Sequence, residues 1–289
     1  MSIAALNPAN HLRRRIGDFV MAIVCTAAAL IGLVFLAWIL WTLIQRGTAG
    51  LGLHVFTEQM KTPGQGGGLA NAIVGSLIQV GIGTLIGAPL GMAVGIYLSE
   101  VGHKGKFASL VRFVNDILLS APSILVGLFI YQIIVVPMRG FSAIAGGIAL
   151  ALLAMPVIAR VTEDILKLVP DAYREGSMAL GARDSTTVTR VVVPAAFGGI
   201  LTGILLAVAR ISGETAPLIF TSFGNFNWSD SIFSGPMASL PIAIYRLASS
   251  PYPEWVDLAW AGALIITFGV LALNIASRVS LALATRGRK

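Results

Sequence analysis

Asn71-Ala-Ile-Val-Gly-Ser-Leu-Ile-Gln-Val-Gly-Ile-Gly-Thr-Leu-Ile-Gly-Ala-Pro-Leu-Gly-Met-Ala-Val-Gly-Ile-Tyr-Leu98 runs without a single charged side chain. Crossing a hydrocarbon layer of about 30 Å takes roughly 20 helical residues, and this run is longer. Gly83, Gly87, Gly91 and Gly95 recur at every fourth position, which puts bare backbone on one helix face. A neighbouring helix can approach closely there, supplied either by this chain or by a partner subunit. Working outward, segments 19–44, 110–136, 141–160, 195–222 and 257–280 are comparably apolar. The third and fourth spans are separated only by the tight turn Pro137-Met138-Arg139-Gly140. The expected fold is therefore all-α: a polytopic transmembrane bundle of six spans, 71–280 forming the core and 19–44 a leading helix.

Composition supports a membrane solvent. Hydrophobic residues make up 56% of the 289 and charged residues 11%, against about 25% charged in soluble domains. The net charge of +7 would suit nucleic acid if it were clustered, but the basic residues lie between apolar runs, where they set topology. Arg13, Arg14, Arg15, Lys104, Lys106, Arg112, Arg160, Lys167, Arg174, Arg183, Arg190, Arg278, Arg286, Arg288 and Lys289 fall on one side. The other side has Arg46, Lys61, Arg139 and Arg246. Both termini, segments 1–18 and 281–289, are therefore expected in the cytoplasm, with 45–70 and 223–256 outside. The outer segments read as short surface pieces: Pro63-Gly64-Gln65-Gly66-Gly67-Gly68 as a flexible lead, and Trp228, Tyr245, Tyr252 and Trp255 as interfacial anchors.

Catalytic and metal chemistry finds little support. Cys25 is the only cysteine and reads as a small core residue, and His11, His54 and His103 read as solvated or interfacial. No cleavable leader is expected, because 19–44 is too long for a signal h-region. No G-x-x-x-x-G-K-[ST] loop occurs, so any ATP must be handled by another chain. No cluster of Asp, His or Lys marks a lipid-modifying enzyme. Interior prolines Pro89, Pro122, Pro156 and Pro217 each remove a helical hydrogen bond, as a transport pathway tolerates and a passive anchor does not need.

Two polar stretches stand out. Within cytoplasmic segment 163–190, Leu168-Val-Pro-Asp-Ala-Tyr-Arg-Glu-Gly-Ser-Met-Ala-Leu-Gly-Ala-Arg-Asp184 reads as a short amphipathic helix, with Asp171 as N-cap and Gly181 as stop. Its small residues would suit a groove on a partner. In the fifth span, Arg210-Ile-Ser-Gly-Glu214-Thr215 places two charges at bilayer depth, where each costs roughly 2.5–3.5 kcal/mol if unpaired. Spacing i, i+4 puts Arg210 and Glu214 on one face. Either the pair merely neutralises itself, or Arg210 offers donors to a passing oxyanion while Glu214 limits how tightly it is held; Ser212 and Thr215 flank the same path.

The first stretch resembles the loop of bacterial ABC-importer permeases. Glu175-Gly176-Ser177, three residues, Gly181, nine residues, then Val191-Val192-Val193-Pro194 keeps that family's spacing throughout, with small-for-small and Val-for-Ile or Leu departures. The resemblance implies a type I permease fold in which Glu175, Gly176, Ser177, Gly181 and Ala182 form the helix that docks into an ATPase subunit. Gly213-Glu214-Thr215-Ala216-Pro217-Leu218 is similar to the phosphate branch, the PstA-type subunits, and implies a substrate pathway through Arg210 and Glu214. It further implies a bacterial inner membrane and a related PstC-type permease as heterodimer partner. Two PstB-type ATPases would hold ATP and magnesium, and an external phosphate-binding protein would deliver substrate for alternating access. Other oxyanions such as molybdate or sulfate, and a stand-alone secondary transporter or channel, are the competing readings.

Overall fold

The structure, a computed structural model, describes residues 8–102 and 105–286, without the side chains of 8–13 and 276–286. The expectations for His11, Arg13, His103, Lys104, Arg278, Arg286, Arg288 and Lys289 thus lie outside the described residues. The regular elements are helices: α1 Pro8–Ala49, α2 Leu53–Thr57, α3 Ala70–Val101, α4 Lys106–Ser120 and α5 Ser123–Met138. There follow α6 Ala143–Lys167, α7 Asp171–Ala179, α8 Asp184–Ser212, α9 Ala216–Thr221, α10 Leu240–Ala248 and α11 Pro253–Arg286. Among the described residues, five helices are long and apolar enough to cross a membrane, and a sixth span exists if the bent pair α4 and α5 is counted as one.

That pair corrects the straight third span expected over 110–136. The helices meet at 105°, because the residue before a proline is pushed out of the helical region: Ala121 is extended at φ −65, ψ 135, ahead of Pro122. Pro89 and Pro156, by contrast, stay inside continuous helices. The fifth span also differs, beginning at Asp184 and not at 195. Residues Val188–Val192 form a π turn in which Val193 N–H reaches Val188 O. The ladder has already slipped when Pro194 arrives without a donor, so that proline opens no new helix. The fourth span continues past 160 to Lys167, its charges paired along the helix: Arg160 Nε lies 3.3 Å from Asp164 and Lys167 Nζ 2.5 Å from Glu163. The connector expected over 163–190 thus shrinks to 168–183.

Helix α6 is the centre of the bundle, with most of its apolar stretch buried, whereas the apolar stretch of α1 is not buried within the chain. The glycine face of α3 lies along α6. A Cβ at Gly83 would stand 2.9 Å from Leu150 Cβ, and one at Gly91 would stand 2.7 Å from Met155 O. The close neighbour is therefore a helix of this same chain. Helix α1 meets α11 at its last turns, where Gly47 abuts Leu264 and Gly50 abuts Asp257. Its middle is exposed along both sides, so Cys25 stands on an outer surface and not in the core.

The ends of the bundle are held differently. At one, the Gly-rich lead is anchored and not a free tether: Gly68 N–H donates to Gln59 O and Leu69 N–H to Val55 O, with Val55, Met60 and Leu69 buried beside Leu240 and Leu247. Asn71 Nδ2 donates to Phe226 O at 2.8 Å and clamps the 222–239 connection onto α3. Trp255 stacks on Phe226 at 5.6 Å within this core, so it is no isolated anchor, whereas Trp228, Tyr245 and Tyr252 are exposed. The opposite end gathers the termini of α3, α6 and α8 around α7.

Candidate functional site

The Arg210–Glu214 stretch lies at a break. Helix α8 ends at Ser212, Gly213 N–H turns back to Arg210 O, and Glu214 N–H to Ile211 O. Pro217, in the first turn of α9, needs no helical donor there. Its backbone seats on α5, where a Cβ at Gly127 would come within 2.6 Å of Pro217 Cα. Packing, and not only local loosening, therefore sets the direction of the chain after the break.

This geometry keeps the expected pair but loosens it. Glu214 lies beyond the helix, so the two residues do not share a continuous helical face. Their closest atoms, Arg210 Nε and Glu214 Oε1, are 4.0 Å apart, the outer limit of ion pairing, with the side chains 46% and 18% exposed. Among the described residues no hydrogen bond from the Arg210 guanidinium accompanies that contact, which leaves its fork of donors available to an anion. The position in the last turn of α8 also places the cation against the helix's negative end. Ser212 is a weaker candidate than its spacing suggested: its hydroxyl donates to Val208 O at 2.7 Å. Thr215 is half-buried at the start of α9 and caps nothing with its side chain.

At the α7 end, the short helix has no buried residue. Asp171 is its first residue and not the N-cap, which is Pro170 with no side-chain cap. The stop is as expected from Gly181: at φ +81, its N–H bonds Met178 O and Ala182 N–H bonds Ser177 O, closing a Schellman motif. Glu175, Gly176 and Gly181 are exposed and Ala182 half-buried, with no atom near a Cβ built on Gly176. Met178 and Leu180 are exposed as well, Leu180 at 90%, so α7 presents an uncovered apolar edge among small residues. Ser177 Oγ meets Thr187 Oγ1 of α8 at 2.9 Å. Gly181→Val would force a β-branched residue into the left-handed region at roughly 1–2 kcal/mol. The expected result is faster limited proteolysis within 168–183 with unchanged thermal melting of the bundle.

Two buried carboxylates beside α7 were missed in the sequence. Glu163, 2% exposed, accepts from Arg112 Nε at 2.8 Å and from Lys167 Nζ. Glu100, 5% exposed, receives Arg174 of α7. The i, i+4 spacing of Glu163 and Lys167 was a readable signal; the long-range partners were not.

The profile of the family described as "Binding-protein-dependent transport system inner membrane component" matches residues 87–288. The chain belongs to that family. Among curated relatives, the permease is 51% identical over 267 residues to the phosphate transport system permease protein PstA of Yersinia pestis, covering 92% of this chain and 90% of that protein. Against PstA of Haemophilus influenzae the identity is 49%, covering 87% and 89%. Against PstA 1 of Mycobacterium tuberculosis it is 36%, covering 96% and 92%. The permease also superposes on a chain of the inward-facing MetNI methionine ABC transporter with TM-score 0.64 and 19% identity, covering 74% of this chain and 95% of that one. A chain of a bacterial alginate ABC transporter gives 0.65 and 15%, covering 92% and 94%. At these identities the structures speak to fold alone, a type I ABC importer permease.

Proposed function

We propose that this permease carries inorganic phosphate across the membrane as a subunit of an ATP-driven importer, with Arg210 on the path. The observation that carries this reading is the arginine at the α8 break, held only loosely by Glu214 at 4.0 Å, in a chain about half identical to PstA permeases. A planar guanidinium matches a tetrahedral oxyanion with two parallel donors. A carboxylate at the edge of pairing range tempers that attraction, so the anion binds and still leaves. The exposed helix α7 docks into a PstB-type ATPase, two of which serve this permease and a PstC-type partner. An external phosphate-binding protein delivers substrate at the opposite end. In this reading the α7 end and both termini face the cytoplasm, which the excess of Lys and Arg on that side supports. ATP binding closes the ATPase pair, α7 moves with it, and the pathway turns from cytoplasm-facing to outward-facing.

The test is reconstitution of the four components in vesicles with ATP supplied on the α7 side. ATP-dependent uptake of labelled phosphate, undiminished by tenfold excess molybdate or sulfate, is the expected outcome. Uptake without the ATPase, or equal competition by molybdate, would replace the reading with a secondary transporter or a different oxyanion importer.

A further inference from the structure

Helix α7 buries no side chain, so hydrophobic packing does not hold it to the bundle. Its chain connections run only to α6 and α8. Among the described residues, the side-chain hydrogen bonds that tie it to α3 come from one guanidinium. Arg174 Nε donates to Glu100 Oε2 at 3.0 Å and Nη2 to Glu100 Oε1 at 2.8 Å, a bidentate fork on a buried carboxylate. The same head group donates to Leu166 O at 3.1 Å in the last turn of α6, to Val169 O at 2.8 Å just beyond it, and to Asp171 at 3.2 Å. The hydrogen bonds that Arg174 donates to the Glu100 carboxylate push its basicity up against the opposing effect of burial.

Glu100 sits in the π turn Tyr97–Val101 that ends α3. The next turns of α3 toward its start carry Gly95 and Gly91, seated on α6. A second arginine braces the same spot: Arg112 of α4 donates to Leu98 O and Glu163. Pulling on α7 therefore pulls, through one fork, on the end of the helix that forms half of the central seam. Interfaces packed this tightly shift as units and do not deform continuously.

We propose that the Glu100–Arg174 pair is the link that transmits displacement of α7 into α3, making both residues positioning residues for ATP-coupled transport. This rests on α7 being the ATPase-docking helix. Glu100→Gln keeps the shape and one acceptor but removes the charge, and Arg174→Lys keeps the charge but loses the fork. In the complete complex, both variants are expected to retain the ATPase and its hydrolysis rate while transport per ATP falls at least about fivefold, the lower range for coupling between sites. Hydrogen exchange provides a readout independent of the substrate. In the unaltered complex, ATP should change protection of amides 97–101 together with those of 171–179; in the variants only 171–179 should respond. Variants whose hydrolysis and transport fall in the same proportion, or whose amides 97–101 still respond to ATP, would overturn the link. An unaltered complex that hydrolyses ATP without moving phosphate would overturn the transport reading instead, while the exchange response would still decide the link.

Discussion

Arg210→Gln is expected to reduce ATP-driven phosphate uptake by about ten- to hundredfold at unchanged abundance in the membrane. The magnitude follows from losing hydrogen bonds made by a charged donor, worth roughly 1.5–3 kcal/mol. Abundance should hold because the residue is 46% exposed and only loosely paired, so its removal orphans no buried carboxylate. Arg210→Lys keeps the charge without the planar fork and should fall between the two. Glu214→Gln should act in the other sense on binding: with the tempering charge gone, half-saturation drops while the maximal rate also falls, because release slows. Initial rates of labelled phosphate uptake against concentration separate these cases. Normal uptake by Arg210→Gln at normal expression would remove the arginine from the pathway.

Gly95→Leu is expected to abolish accumulation of folded protein, a larger effect of a different kind. A Cβ at Gly95 would lie 2.5 Å from Thr162 Cβ and 2.6 Å from Ala159 O, so the obstruction includes backbone of α6 that cannot rotate away. Overpacking a tight core costs roughly 1–3 kcal/mol and more where backbone must move. Helix association in a bilayer has no strong hydrophobic term to offset that loss of contact. The control lies on the same helix. Gly81 has no atom within 4 Å of an added Cβ, and Gly81→Leu should leave the chain's own fold intact. Membrane abundance and size-exclusion profiles of the two variants in detergent distinguish them; equal profiles would mean that the α3–α6 seam does not organise the bundle.

The spans, the turn at Arg139 and the stop at Gly181 were legible because each depends on local chemistry: length and apolarity, a short polar break, and the φ > 0 that glycine accepts. Arg139 indeed takes the left-handed conformation at φ 55. Proline effects were only half legible. The sequence marks Pro122, Pro156 and Pro217 alike, yet one bends its helix pair by 105°, one lies within a continuous helix, and one sits in the first turn of a short helix after a break. Which occurs depends on the hydrogen-bond register upstream and on what packs against the break, neither of which is written in the local residue types.

Arg210 could be singled out by sequence because a charge in an apolar run is costly wherever it lies. That Glu214 lies past the helix end, and that Ser212 turns its hydroxyl onto Val208 O, required the position where α8 stops. The Glu100–Arg174 fork joins residues separated by 74 positions, so no periodicity reveals it. By itself, then, the sequence determined a helical membrane protein, its approximate spans, its close-packing glycine face and its candidate charge, since these follow from solvent preference and side-chain size along one helix. Only the tertiary structure decided that the glycine face meets α6 of the same chain, that the third span is bent, and that α7 is pinned to α3 through a buried carboxylate. Those outcomes are set by which surfaces meet, and contact between distant segments is a property of the folded bundle and not of any single run of residues.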